Sequence, residues 1–308
     1  MNNKPKILTV GTGAVGGYYS GRLSQAGASV SAVCRTDFDT VAKNGIQIKS
    51  IQGNFTFYPE HVVRTVSEYS SIPDYILVAT KALPEIDIPS IIREKVGPET
   101  SIILLQNGIG IEEPVQTAFP GNEIISGLAF IFVSRSEMGK INHDDFGRIV
   151  IGTYPSGHSE KVDLLNKLFI KAGVPCIITD DIIPARWKKL LWNAPLNPIS
   201  VLGGGASTVE MMESELVVNL TIKVMEEVMM LAKMSGNTLP EDLIRLTIEE
   251  TKKMNPYKTS MLHDYETGRP MEVEAILGNT LRIAGIHAVA VPYIESLYAL
   301  LSLMNRGR

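Results

Sequence analysis

An α/β domain built on a parallel sheet, followed by an all-α domain, is the architecture that this 308-residue sequence predicts, and three observations carry it. Lys6-Ile7-Leu8-Thr9-Val10 is a short apolar run with β-branched members that stops at Gly11-Thr12-Gly13-Ala14-Val15-Gly16-Gly17, after which Tyr18 to Gln25 suits a helix. Two more apolar runs, Asp74 to Ala79 and Ser101 to Leu105, lead into the polar residues Thr80-Lys81 and Gln106-Asn107-Gly108. Beyond Ile182 the extended patterns give way to long helical ones.

The first element is a strand, a tight turn and a helix, and the Gly-x-Gly-x-x-Gly spacing within it has a mechanical meaning. The first glycine turns the chain, the second lets backbone approach a pyrophosphate, and the third lets helix pack on strand. Free N–H groups and the positive helix end then face an anion. The fold expected is therefore an N-terminal Rossmann-type dinucleotide-binding domain, with Gly11, Thr12, Gly13, Ala14, Val15 and Gly16 as the cofactor turn.

Ser29 to Val33 reads as the second strand, and it delivers Cys34-Arg35-Thr36 where a cofactor with a free ribose 2'-hydroxyl usually meets an acid. Arg35 would instead hold a 2'-phosphate through fork-like, charge-assisted hydrogen bonds. Such a contact contributes about 1.5 to 3 kcal/mol, roughly ten- to a hundredfold in preference, so the expected cofactor is NADP. Ile46 to Ser50 and Asn54 to Tyr58 suit short strands around Gln52-Gly53-Asn54. Lys81 and Asn107 then emerge at the strand edge where open α/β sheets bind ligands; a solvated loop lysine and a simple turn are the alternatives.

From Glu123 to Gly152 the extended segments Ile124 to Val133, Gly139 to His143 and Arg148 to Gly152 suggest antiparallel strands added to the parallel sheet. His143-Asp144-Asp145 is acidic enough for a metal, but as an isolated cluster in an expected turn it reads as solvated, and no metal site is expected. A helix from Glu160 to Ala172 and a last strand from Val174 to Thr179 close this domain, giving boundaries of 1–181 and 182–308.

In the second domain, Leu216 to Ser235, Pro240 to Lys253, Val273 to Ala284 and Tyr293 to Met304 have helical patterns, and Met225, Met229, Met230 and Met234 suit core packing. The informative stretch is Arg186 to Pro198, where Lys189, Asn193 and Asn197 recur every fourth residue and would share one helix face. A lysine and two amides among tryptophans and leucines need partners if buried, so the strip lines a wet cleft or caps a neighbour. Pro195 and Pro198 each remove a helix hydrogen bond, so the helix is expected to bend or restart there.

Composition narrows the function. Residues that are 44% hydrophobic and 20% charged describe a soluble globular chain, and 29 basic against 33 acidic residues imply neither a nucleic-acid nor an anionic-membrane surface. Two cysteines, Cys34 and Cys176, suit a reducing compartment, and no secretory signal or membrane span is evident, so the cytoplasm is expected.

The whole chain, from the first glycine to the last helix, resembles the ketopantoate reductases (2-dehydropantoate 2-reductases). The resemblance is carried by Gly11 to Gly16, Arg35, Thr80-Lys81, Gln106-Asn107-Gly108, Trp187-Lys188-Lys189-Leu190 with Asn193 and Asn197-Pro198, Ser260-Met261-Leu262-His263-Asp264, and Gly268-Arg269-Pro270-Met271-Glu272. It implies NADPH-dependent reduction of ketopantoate to (R)-pantoate, in pantothenate and coenzyme A biosynthesis. By it Lys189 is the catalytic lysine and Glu272 its carboxylate partner. Lys81, Asn107 and Glu272 lie at the cofactor edge, Arg35 meets the 2'-phosphate, and Asn107, Asn193, Asn197 and Ser260 hold the substrate. An N-cap role is the other reading of Ser260. Some family members have asparagine three residues before that serine, where this chain has Tyr257, which bears on ketopantoate itself more than on the reaction. The alternatives are reduction of another 2-keto or 3-keto acid, an NADPH-sensing protein without turnover, and a scaffold. The partner expected is a small keto acid, with a homodimer left open.

Overall fold

The computed structural model describes residues 4–307, which form two compact units. The first comprises Met1–Lys81, Ile86–Gln106 and Glu112–Ile182; the second comprises Ala82–Glu85, Asn107–Ile111 and Ile183–Arg308. A single cut after residue 181 therefore leaves out two loops of the first half. Their hydrogen bonds explain the assignment: Ala82 N donates to Glu272 Oε1 at 2.9 Å, and Ile109 N donates to Ala275 O at 3.0 Å.

The first unit contains, in chain order, β1 (Lys6–Val10), α1 (Ala14–Gln25), β2 (Ser29–Val33), α2 (Phe38–Asn44), β3 (Ile46–Ser50), β4 (Phe55–Phe57) and β5 (Val62–Val63). There follow β6 (Tyr75–Val78), α3 (Ile88–Ile92), β7 (Ser101–Leu104), α4 (Glu113–Ala118), β8 (Ile124–Glu137), β9 (Lys140–Tyr154), α5 (Glu160–Lys171) and β10 (Cys176–Ile178). The strands form one sheet in the order β4-β3-β9-β8-β7-β6-β1-β2-β5, with β10 on β9. From β5 to β8 the pairing is parallel, so the carboxyl ends of β1, β2, β6 and β7 share one edge. All residues of β6 and β7 are buried, as expected of strands covered on both faces, and Ile7, Tyr19, Leu23, Ile103, Ile151 and Phe169 anchor that core. Each such side chain contributes about 1.5 to 3 kcal/mol by leaving water.

The three extended segments expected between 124 and 152 are two long strands, β8 and β9, paired antiparallel. The pairing shifts between Phe130 and Ile131, opposite Phe146 at φ 59° and Gly147 at φ 117°, as in a bulge. His143-Asp144-Asp145 thus lies within β9 rather than a solvated turn. His143 is buried, its Nδ1 is 2.8 Å from Ser50 Oγ, and desolvation lowers its pKa.

The second unit is helical: α6 (Ile182–Leu202, whose first residue belongs to the first unit), α7 (Thr208–Glu213), α8 (Glu215–Met234), α9 (Leu243–Lys252), α10 (Ser260–Glu266), α11 (Asn279–Ile286) and α12 (Pro292–Met304). Its core gathers Trp187, Leu190, Leu191, Met225, Val228, Leu231, Ile276 and Leu301. Met229 and Met230 pack against this core, whereas Met234 ends α8 exposed. Glu227 caps α12, accepting from Tyr293 N at 2.9 Å and Ile294 N at 2.8 Å, a buried anion at a helix start.

Two helices depart from their sequence expectation. α6 runs unbroken through Pro195 and Pro198, because Leu191, Ala194, Leu196, Ile199 and Val201 are buried around them and tertiary packing outweighs two missing N–H donors. The stretch expected as one helix from Val273 begins instead with a π segment, Glu274–Gly278, before α11.

Candidate active site

In the first unit the glycines divide their labour. Gly11 has φ 95°, and a Cβ there would stand 2.4 Å from Thr80 N; a Cβ at Gly16 would stand 2.1 Å from Gly11 O. Around Gly13 there is nothing within 4 Å of a Cβ, so this position is open where the other two are closed by backbone. Gly13 is also the N-cap of α1, with no side-chain cap and no acid in the first turn. The helix start therefore offers uncapped N–H groups and no carboxylate to repel an anion, a fit to a dinucleotide pyrophosphate. Ala14 and Val15 follow at the helix start, partly exposed.

Thr12, within the expected cofactor turn, directs its hydroxyl into the protein. Its side chain is buried and Oγ1 donates to Val33 O at 3.0 Å, with Cys34 Sγ at 3.1 Å. That hydroxyl pins the turn to the end of β2, leaving Thr12 its backbone for a ligand. Just beyond that end Arg35 is exposed, with no hydrogen bond or ion pair among the described residues. At the ends of β6 and β7, Gln106 Nε2 donates to Thr80 Oγ1 at 3.1 Å, and Lys81 follows partly buried.

The second unit assembles a polar chain. Lys189 Nζ donates to Asn107 Oδ1 at 3.0 Å, and Asn107 Nδ2 donates to Glu272 Oε2 at 3.2 Å. The other oxygen of Glu272 is held by Ala82 N, so the carboxylate is fixed at both ends. One amide therefore joins Lys189 to Glu272. Desolvation, with the Arg186 guanidinium second, lowers the Lys189 pKa to about 7, against the pull of Glu272 in the other direction. Such an amine exchanges its proton near neutral pH. Neighbouring Lys188 is exposed.

Asn193 and Asn197 follow Lys189 at four-residue steps along α6, a stripe about 12 Å long. Both are buried. Asn197 is 1% exposed, and neither its Oδ1 nor its Nδ2 has a hydrogen-bond partner among the described residues. An orphaned buried amide costs about 1 to 3 kcal/mol per unmet group.

Ser260 is the exposed first residue of α10, and the cap is Thr259, whose side chain accepts from Leu262 N at 3.2 Å. The N-cap reading of Ser260 is thereby corrected: the extended backbone falls one residue earlier. Tyr257 is partly buried, its ring 6.3 Å from that of Trp192.

What sequence reasoning missed is how Asn107 is held. Gly108 has φ 100°, and a Cβ there would stand 2.2 Å from Ala275 O. Its carbonyl accepts from Arg186 NH1 at 3.0 Å, and Ile109 O accepts from Asn279 Nδ2. The π segment and α6 thus grip the loop on both sides of Gly108. The only signal in the sequence was the Asn-Gly pair, which reads as an ordinary turn.

Comparison with known proteins follows the same line. Residues 7–156 match the family described as ketopantoate reductase PanE/ApbA, and residues 181–305 match its C-terminal counterpart. The chain is 35% identical to 2-dehydropantoate 2-reductase of Nostoc sp. over 98% of its own length and 96% of that protein's. It is similar to the crystal structure of 2-dehydropantoate 2-reductase from Methylococcus capsulatus, with 44% identity, a TM-score of 0.91, and 97% and 96% of the two chains covered. The corresponding structure from Geobacter metallireducens gives 33% identity and the same TM-score, over 97% of this chain and 99% of that one.

Proposed function

Because the chain belongs to the ketopantoate reductase family, we propose that it reduces 2-dehydropantoate to (R)-pantoate with NADPH, feeding pantothenate and coenzyme A synthesis. The observation that carries the reading is Lys189, its pKa lowered to about 7 beside Asn107, on a helix that also carries the unpartnered Asn197 amide. NADPH, when bound, supplies the hydride.

The Gly11 to Gly16 turn binds the pyrophosphate through backbone N–H groups, Arg35 binds the 2'-phosphate, and Lys81 adds a cation at the same edge. Residues 1–181 are the cofactor domain in this reading, and 182–308 are the substrate domain, which borrows Asn107. The Lys189 ammonium stabilises negative charge as it grows on the former carbonyl oxygen, then gives that oxygen a proton from Nζ. Positioned acid catalysis of this kind is worth about 10²- to 10⁴-fold. Asn107 aims the amine. Glu272, fixed by Ala82 N, keeps the protonated form populated and is assigned to cofactor binding as well. Asn193, Asn197 and Ser260 hold the substrate's carboxylate and hydroxyl oxygens. The chemistry is cytoplasmic in this reading, with Cys34 and Cys176 as free thiols.

The test is NADPH oxidation on a panel of 2-keto and 3-keto acids, with the chirality of the product. Ketopantoate as the best substrate supports the reading. A higher kcat/KM for another keto acid transfers it to that substrate, an outcome that Tyr257 in place of asparagine favours. NADPH binding without turnover on any acid overturns it.

A further inference from the structure

The strand beside the one that leads to Arg35 leads to a second arginine, and we propose that Arg64 forms with Arg35 a two-guanidinium clamp for the 2'-phosphate of NADPH, with Asp39 occupying Arg64 until the phosphate arrives. The inference rests on the cofactor reading above and adds a residue that decides NADPH over NADH.

The pairing of β2 with β5 supplies the geometry. Ala32 pairs with Val62 and Val33 with Val63 in parallel register, and Cys34 N donates to Val63 O at 2.8 Å. Arg64 therefore leaves the sheet next to Cys34, on a strand about 4.8 Å away, one residue from the level of Arg35. Both arginines thus follow the strand ends at the edge to which Thr12 ties the glycine turn.

The side chain of Arg64 is already aimed. Its Cζ lies 4.0 Å from the centroid of the Phe38 ring, and NH2 is 3.0 Å from Asp39 Oδ1. Phe38 and Asp39 open α2 directly after Arg35-Thr36-Asp37, so the guanidinium lies against the start of the helix that follows Arg35. Stacking on Phe38 fixes the plane of the fork and leaves its edge for an anion, the arrangement in which arginine binds phosphate best.

The contact with Asp39 is built to be exchanged. The Arg64 and Asp39 side chains are 50% and 86% exposed, and exposed ion pairs of this kind are weak and screened by salt. A phosphate dianion offers two parallel charge-assisted hydrogen bonds in place of one. The neighbouring acids are otherwise engaged: Asp37 is buried 3.7 Å from Arg135 NH1, and Glu68 accepts from Arg64 N at 2.8 Å and from Thr65 Oγ1 at 3.3 Å. Asp39 is thus both a stand-in for the phosphate and a like charge that opposes it.

The experiment measures NADPH and NADH dissociation constants by fluorescence titration of the full chain, for wild type, Arg64→Gln, Arg64→Lys, Arg35→Gln, Asp39→Asn and the double Arg35→Gln/Arg64→Gln. We expect Arg64→Gln to weaken NADPH about tenfold and leave NADH within about twofold. Arg64→Lys, which keeps the charge without the fork, should fall between, and it serves if the glutamine variant does not fold. Asp39→Asn should tighten NADPH alone. Equal weakening of both cofactors by Arg64→Gln makes Arg64 a structural residue and overturns the clamp. No change at Arg64 with lost NADPH preference in Arg35→Gln overturns the clamp and leaves the NADPH reading standing. A wild type without NADPH preference, unaltered by Arg35→Gln, sinks the cofactor reading and the clamp together.

Discussion

Under the proposed function, the glycine turn and the face of α6 prepare for ligands in opposite ways. At the turn the polar side chain present, Thr12, is consumed internally, and what is left for a ligand is backbone and the open space at Gly13. Along α6 the side chains themselves are held ready, Lys189 with a perturbed amine and Asn197 with both amide atoms unmet. The first strategy is nearly free of strain once glycine is accepted; the second stores an unfavourable desolvation in the folded protein. Binding built from missing atoms costs little stability, whereas chemistry built from unmet atoms does not come so cheaply.

That contrast can be broken first at Lys189. Lys189→Ala should lower kcat/KM at least a hundredfold, about 2.7 kcal/mol in transition-state stabilisation, while NADPH titration gives an unchanged dissociation constant. Retained turnover would remove the lysine from the mechanism. The turn comes next. Gly16→Ala drives a methyl onto Gly11 O and should lower unfolding free energy by about 1 to 3 kcal/mol in a denaturant melt. Gly13→Ala meets nothing in the fold and should leave the melt unchanged, yet weaken NADPH about tenfold. Equal melts for the two variants would refute the division of labour among the glycines.

Asn197 sharpens the comparison from the other side. Asn197→Leu keeps the number of heavy atoms and removes two orphaned polar groups, so the variant should be more stable by about 1 kcal/mol while KM for the keto acid rises. A destabilised variant would mean that the amide has a structural partner. The smallest effect is expected at Glu272. Since Lys189 must be protonated to donate, kcat/KM should fall as pH rises through about 7. Glu272→Gln withdraws the group that raises this pKa, so the fall should begin at lower pH, by about one unit. A profile moved upward would reverse the electrostatic argument.

How much of this was legible in sequence depends on how far each interaction reaches along the chain. The strand, turn and helix around Gly11 are local, and their spacing alone predicts the conformation that Gly11 adopts. The Lys189, Asn193, Asn197 stripe is local too, since a four-residue repeat fixes a helix face. Its continuation past Pro195 and Pro198 was not legible, because propensity opposes the helix and only the surrounding core upholds it. The bond from Lys189 to Asn107 spans 82 positions and leaves no periodic trace. Neither does the π segment that holds the Asn107 loop. By residue type Ser260 is the better cap of the two, and only the extended backbone of Thr259 selects the threonine. The inward turn of the Thr12 hydroxyl is equally a matter of where Val33 ends up.

The two short loops counted with the helices have a consequence for how this protein can be cut or recombined. The chain passes between its units at 81/82, 85/86, 106/107, 111/112 and 182/183, so neither unit is a contiguous cassette. A gene fragment encoding 183–308 would carry Lys189 and Glu272 but neither Ala82 nor Asn107, which between them satisfy both oxygens of that carboxylate. Swapping the helical half between relatives therefore transplants an incomplete acid unless the loops 82–85 and 107–111 travel with it.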